Sequence, residues 1–422
     1  MSAFTAANPA MLAAIVETAK TRSIVADQDI CDDRGVKLWA RGQPVTASLQ
    51  QRLLERKLRQ PLEACLRAED GVTNVHLLEH VGQLAADSPL GMLVARHRAG
   101  VETQLRSVPL HAATQLLLTT AQTARPTVFD HAVRGLTLAG AMAVSAGVNA
   151  EHTRLAMLGG LLHDAGEMYI DPQYLDARQP LTPACHRHVV SHPLIGQRLM
   201  EQLTDYPAAL AVAIGEHHER LDGSGYPARR QHDQVTRLGR LLMVMEVMLG
   251  LAGAGPDALA RTSFALRMVP GEFDPQWIGF VSRAAKSPRD VPALTADDRD
   301  ALQQGWAALE GAQQAAQAVA AAGPAGGSAA QRVALRVSER LTRLQVGLSA
   351  IGLWPDSVDP RALEPFELRA ALGELRYRLR GAWRDCACSE AALAPQDEAA
   401  LAPLRAALEG DAPPPSAEQA AP

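Results

Sequence analysis

Nine of the thirteen histidines in this 422-residue chain fall between His131 and His232, and none follows. Neutral imidazole is a common metal ligand, and its pKa near neutrality also suits it to proton transfer. His163-Asp164 directly follows an apolar run containing Leu155, Leu158, Leu161 and Leu162. His192 comes 28 residues after Asp164, and His217-His218 follows Leu210, Val212 and Ile214. His131 lies upstream, and downstream Glu246 is the one charged residue between Leu241 and Ala254. Five imidazoles and two carboxylates are the inventory of a site for two divalent ions. A donor set without thiolate favours Fe or Mn over structural Zn. A buried Glu246 with no partner would be costly, and a cation removes that cost.

These ligands need elements to position them. The apolar spacing places His163-Asp164 at the end of a helix, with Gly166 where a helix would terminate. His192 is expected on a helix opened by Thr182 as N-cap with Pro183 in the first turn. His217-His218 should end the next helix, and His131 should open an earlier one. Glu219 to Pro227 reads as a rigid, turn-rich loop. His152, His186, His188 and His232 read as surface residues, and Met243, Met245 and Met248 as core fillers beside Glu246. Cys386-Ala387-Cys388 lacks the further Cys or His that a metal site needs. No G-x-S-x-G or P-loop pattern offers a different chemistry.

The whole chain sets the frame. Hydrophobic residues are 47% and charged residues 21%, enough for a sizeable core, while aromatics at 4% favour helices over an aromatic-rich sandwich. A net charge of −5 argues against a nucleic-acid partner, and five scattered cysteines against a disulfide framework. With neither a signal-peptide pattern nor a membrane-spanning run, a soluble cytoplasmic protein is expected. The fold class expected is mainly α, with a small N-terminal α+β unit and a C-terminal helical hairpin. Residues 1–20 form a flexible N-terminus and 21–68 the α+β unit, where β-prone runs at Ser23 to Ala26 and Val36 to Trp39 flank the Asp32–Gly35 turn. Thr46 should cap a helix that turns Leu49, Leu53 and Leu54 inward. A helical connector spans 69–105, the His-rich domain 106–290, and a helix with a Gly/Ala-rich linker 291–330. The accessory hairpin spans 331–412 and a disordered tail 413–422. The hairpin carries apolar stripes at Val337, Leu341, Leu344, Leu348 and Ile351, and at Leu368, Leu372, Leu375 and Leu379. They suit packing on the same chain or, as a homodimer, on a second subunit.

From about Val108 to Ala285 the chain resembles the HD-GYP family, a subgroup of HD-domain metal-dependent phosphohydrolases. The resemblance is carried by Leu161-Leu162-His163-Asp164-Ala165-Gly166, by the string His217-His218-Glu219-Arg220-Leu221-Asp222-Gly223-Ser224-Gly225-Tyr226-Pro227, and by Phe273-Asp274-Pro275. It implies an HD-domain helical bundle and hydrolysis of the bacterial messenger cyclic di-GMP with two divalent metal ions. It also implies that His131, His163, Asp164, His192, His217 and His218 are ligands, Asp164 bridging the pair, with Glu246 where the family usually has Asp. Asp222, Gly223, Gly225, Tyr226 and Pro227 fall on the loop assigned to guanine or to protein partners, and Arg240 on a family Arg. Arg229, Arg230 and Arg237 are further phosphate contacts or a solvated basic face. Glu167 stands where the family has a Lys associated with the scissile phosphate, Thr127 where some members carry a third-metal Glu, and Cys185 where a Glu is usual. The segment after Glu246 lacks the family's basic string. Three functions stay open on this resemblance: a cyclic-dinucleotide phosphodiesterase in which Glu167 takes a catalytic position beside His163 and Asp164, a degenerate metal- and ligand-binding signalling module, or a different HD-type phosphohydrolase.

Overall fold

The computed structural model describes residues 6–53, 56–176, 182–251, 257–285, 292–322, 327–354, 364–388 and 393–409. Leu54 and the tail 413–422 lie outside the described residues, as do Pro355 and Pro360 and parts of the loops around 286–291 and 323–326. The chain divides into two compact units, Met1–Leu175 with Val189–Gly253, and Asp176–His188 with Ala254–Pro422. Among the described residues no helix is long and apolar enough to cross a membrane.

The first unit opens with the Pro9–Thr18 helix, whose N-cap Asn8 side chain accepts from the Met11 amide. Asp32 Oδ1 then accepts the Arg34 and Val36 amides at 3.0 and 2.8 Å, and Gly35 takes φ +83°. That turn joins Ile30–Cys31 to Lys37–Trp39 as an antiparallel pair. The run at Ser23 to Ala26 does not join this hairpin. Its strand Ile24–Ala26 pairs antiparallel with Leu66–Ala68, beyond the Ala47–Leu53 helix. Leu49 and Leu53 of that helix are buried as the spacing requires. The connector contains the helices Asn74–Gly82, Pro89–Val94 and Arg98–Leu105.

The helices that carry the histidines follow. They are Ala112–Ala124, Pro126–Ser145, Ala150–Leu162, His192–Leu203, Ala208–Glu216 and Arg237–Leu251. Pro126 supplies a pre-set φ and no unpaired N–H at the first turn, so this helix starts five residues before His131 rather than at it. His192 also departs from expectation. A helix at Pro183–Val189 stops, and a new one begins at His192. Pro193 explains the break, since its ring disfavours helical continuation from the preceding residues and suits a first turn.

Packing of these helices depends on missing side chains. A Cβ at Gly135 would lie 2.3 Å from the Gly160 carbonyl oxygen, and one at Gly160 equally close to the Gly135 oxygen. The Pro126–Ser145 and Ala150–Leu162 helices therefore cross backbone to backbone, which brings His131 and His163 within reach. Gly166 has the same kind of duty. It does not end the helix through positive φ but lies in the 3-10 turn Ala165–Tyr169, where a Cβ would meet the His192 carbonyl oxygen at 2.1 Å. Leu158, Leu161, Leu162, Leu210 and Ile214 are all buried around the crossing, each contributing about 1.5–3 kcal/mol.

The second unit is a helical bundle comprising Ala258–Met268, Pro275–Ala284, Ala296–Ala321, Ala329–Ala350, Pro365–Cys388 and Pro395–Glu409. The expected hairpin is formed by the Ala329–Ala350 and Pro365–Cys388 helices. Val337, Leu341, Leu344 and Leu348 are buried against Leu375 and Leu379, and Leu309, Ala312, Leu401 and Leu404 complete the same core. Thus two further helices of the unit cover the apolar stripes. Ile351 leaves the stripe, because it caps the helix and is exposed. In the same unit Arg378 is buried between Glu272 and Glu374, at 2.7 Å from each.

Candidate metal centre

The seven expected ligands converge inside the first unit. Two groups of four donors form, His131, His163, Asp164 and Glu246, and Asp164, His192, His217 and His218. Within each group the donor atoms lie within 4.8 Å of one another. Asp164 belongs to both. Its Oδ2 is 3.3 Å from His131 Nε2 and 3.2 Å from His163 Nε2, and its Oδ1 is 3.2 Å from His192 Nε2 and 3.3 Å from His217 Nε2. Glu246 Oε2 stands 3.0 Å from His163 Nε2 and 3.7 Å from His131 Nε2.

Local structure aims these rings. His163 and His217 are the C-cap residues of their helices, where the last carbonyls have no intrahelical partner. His163 Nδ1 pairs with the Gly160 oxygen at 2.9 Å and His217 Nδ1 with the Ile214 oxygen at 2.6 Å. His192 Nδ1 reaches the Val189 oxygen at 2.7 Å. With Nδ1–H donating to a carbonyl, each neutral ring presents a lone pair at Nε2, the arrangement that orients metal-bound histidine. His192 Nε2 and His217 Nε2 face each other at 3.0 Å, and His131 Nε2 and His163 Nε2 at 3.1 Å. Opposed lone pairs at that distance repel unless a cation lies among them.

The polar atoms left over fit the same conclusion. Asp164 Oδ1, Glu246 Oε2 and His218 Nε2 are buried and make no hydrogen bond. Buried polar atoms are normally satisfied, so three orphans converging with aligned lone pairs match a pair of divalent cations. Oxygen and imidazole donors without thiolate suit Fe, Mn or Zn.

Electrostatics run the same way. Burial opposes charge on every group, yet the carboxylates and imidazoles override it. Asp164 is held well below the usual carboxylate range, chiefly by His163 against the burial penalty, and Glu246 likewise by His131 and His163. His163 is raised well above 6.5 by Asp164 and Glu246, and His131 and His192 are raised as well, all against burial. His217 and His218 go down, through burial and the neighbouring imidazoles. The pocket attracts positive charge and holds protons where cations would sit.

Glu167 lies one 3-10 turn beyond Asp164, its amide donating to the Asp164 oxygen at 2.9 Å. Burial first, then the Asp164 charge, lift its carboxyl to about 7. The turn is held from behind by Arg125, whose guanidinium donates to the Glu167 and Ile170 oxygens at 2.8 and 3.1 Å.

The loop after His218 is built on two glutamates for which the sequence reading has no role. Buried Glu219 accepts the Ala228 and Arg230 amides at 2.7 and 3.0 Å. Buried Glu216 accepts the Thr236 amide at 3.0 Å and also binds the Arg230 guanidinium. Asp222 Oδ1 accepts the Ser224 amide at 2.9 Å, Gly223 takes φ +79°, and a Cβ on Gly225 would meet the Arg220 nitrogen at 2.4 Å. Tyr226, joined to Pro227 by a cis peptide, stacks on His218 with ring centroids 4.6 Å apart. Arg240 donates to the Val235 and His232 oxygens and to Asp233, so it braces the end of this loop. Glu219 belongs to the string that carries the family resemblance, whereas Glu216 is marked in the sequence only as an acid beside His217.

Residues 115–269 match the family model of the HD domain. The chain is 28% identical over 227 residues to the cyclic di-GMP phosphodiesterase PA4108 of Pseudomonas aeruginosa, covering 53% of each. It is 28% identical over 128 residues to the 3'3'-cGAMP-specific phosphodiesterase 1 of Vibrio cholerae, 30% of each. It is 30% identical over 126 residues to the cyclic di-GMP phosphodiesterase response regulator RpfG of Xanthomonas campestris pv. campestris, 30% of this chain and 33% of the other. The chain thus spans about half or less of the length of these relatives. Among solved structures it is similar to Bd1817, a HDG"Y"P protein from Bdellovibrio bacteriovorus, at 15% identity and a TM-score of 0.34, over 64% of this chain and 97% of that one. Residues 115–269 thus form an HD domain, and the chain is similar over part of its length to phosphodiesterases of cyclic dinucleotides.

Proposed function

We propose that the chain is a metal-dependent phosphodiesterase that opens a cyclic dinucleotide, cyclic di-GMP in the first instance. The observation that carries this is the pair of four-donor groups sharing Asp164, with orphaned buried atoms aimed between them. His131, His163 and Glu246 would hold one ion, His192, His217 and His218 the other, and Asp164 both. Two divalent ions of Fe or Mn, when bound, supply Lewis acidity toward water and neutralise phosphate oxygens as charge develops. The chain's own part is to orient and to manage protons. Backbone carbonyls at Gly160, Val189 and Ile214 fix three ring tautomers, and His163, His192, His217, His218 and Glu246 are buried. In the metal-free chain burial and the Asp164 charge lift the Glu167 carboxyl to about 7. In its neutral form Glu167 would not repel an anionic phosphodiester and would carry a proton for a departing alkoxide. Asp222, Gly223, Gly225 and Pro227 shape the rim on which a base would rest.

Anaerobically purified chain loaded with Mn2+ or Fe2+ and incubated with cyclic di-GMP should release linear dinucleotide or GMP. His163→Ala and Asp164→Ala should abolish that release. Absence of turnover by fully loaded wild type would overturn the enzymatic reading. Glu167 supports a second reading, a metal-binding signalling module, because it sets a carboxyl beside the cluster and Arg240 is engaged with the loop. Glu167→Lys separates the two. Activity gained by this variant favours the module, and activity lost favours a working site that uses Glu167.

A further inference from the structure

We infer that Tyr226 is a positioning residue for His218, so that the loop from Asp222 to Gln231 and the cation group of Asp164, His192, His217 and His218 are thermodynamically linked. This rests on the two-cation reading above and concerns how one half of that site is held. His163, His192 and His217 each have a backbone carbonyl at Nδ1. The ring of His218 is oriented by aromatic faces. It lies in a stack with Tyr226, the planes 18° apart and the centroids at 4.6 Å. His217 meets the same ring at 4.2 Å with a 46° tilt, and His192 meets it edge-on at 4.9 Å. Buried Nε2 of His218 makes no hydrogen bond.

Tyr226 is in turn fixed by the loop. Its amide donates to the His218 oxygen at 3.1 Å, and Gly225 before it has no room for a side chain against Glu219 and Arg220. Both carboxylate oxygens of Glu219, the residue next to His218, hold the amides of Ala228 and Arg230 beyond it. A cation that draws His218 Nε2 into register therefore selects the stacked position of Tyr226 and the closed form of the loop. Linkage makes the effect reciprocal, so loosening the loop weakens that ion. The other group, His131, His163, Asp164 and Glu246, does not include His218, so the change should fall on the ion of the first group.

The test uses the full chain stripped of metal and titrated calorimetrically with Mn2+, alongside hydrogen exchange of residues 219–231 by mass spectrometry. Wild type should bind two ions and lose exchange at Ala228 and Arg230 as the second is filled. Tyr226→Ala should weaken one of the two binding events by roughly 10–100-fold, the range for outer-sphere partners of metal ligands, and spare the other. Mn2+ should no longer slow exchange of its loop. Tyr226→Phe, which keeps the stacked ring, should restore both behaviours. Equal weakening of both events, no weakening, or loop exchange in wild type that ignores Mn2+ would overturn the linkage. Tyr226→Leu replaces the alanine variant if that fails to fold, and the wild-type exchange result stands without either. A wild-type chain that takes up no Mn2+ would instead defeat the two-cation reading itself.

Discussion

Asp164→Asn and Glu246→Gln are nearly isosteric and remove one carboxylate charge each, yet the structure assigns them unequal consequences. Asp164 stands in both donor groups and Glu246 in one. An ion that binds only the folded chain stabilises it by about 4 kcal/mol at a thousandfold excess over its Kd. For a unit of this size, roughly 2–4 °C of Tm accompanies each kcal/mol. One saturated ion should therefore raise Tm by about 8–16 °C and two by about twice that. Asn in place of Asp164 keeps the side-chain shape and can donate to an imidazole lone pair, so the metal-free chain should still fold. Differential scanning calorimetry with and without Mn2+ measures the outcome. Wild type should show the full shift, Glu246→Gln about half, and Asp164→Asn almost none. A full shift retained by Asp164→Asn, or its complete loss in Glu246→Gln alone, would refute the shared-carboxylate arrangement.

Gly160→Ala drives a methyl toward the Gly135 oxygen and should cost about 1–3 kcal/mol, read as a lowered Tm without metal. It should also cut Mn2+ affinity by separating His131 from His163, whereas Gly311→Ala, where a Cβ meets nothing within 4 Å, should do neither. Metal affinity should rise with pH through and above 6.5, because His131, His163 and His192 hold protons in the metal-free chain beyond the ordinary imidazole range. The same raised values stabilise the metal-free fold below 6.5. That contribution is lost as pH rises through the folded-state values, so metal-free Tm should fall on the alkaline side while the Mn2+-induced shift grows. A pH-independent Mn2+ affinity across this range would contradict the assignment.

His163-Asp164, His192 and His217-His218 were legible as candidate ligands because they sit at helix ends, where a side chain reaches a cavity without leaving backbone unpaired. Glu246 was legible because it is the lone charge in an apolar run. His131, inside its helix, was carried by the family resemblance. The mainly α fold and the C-terminal hairpin were legible because their stripes repeat every three or four residues. What brings the ligands together was not. The Gly135–Gly160 crossing depends on two residues 25 apart that are individually unremarkable, and no local pattern marks them. Glu216 and Glu219 read as ordinary acids beside the histidines, since their partners Thr236, Ala228 and Arg230 are contacts of the folded loop. The strand pairing of Ile24–Ala26 with Leu66–Ala68 is equally non-local. The break before His192 was readable in principle from Pro193, but the Thr182-Pro183 signal upstream described the shorter helix instead.

The central claim is that one aspartate joins two cation sites. An anomalous-scattering structure of crystals grown from Mn2+-loaded chain measures this directly. Two peaks are expected on either side of the Asp164 carboxylate, one among His131, His163 and Glu246 and the other among His192, His217 and His218. A single peak, or peaks away from Asp164, would contradict the account.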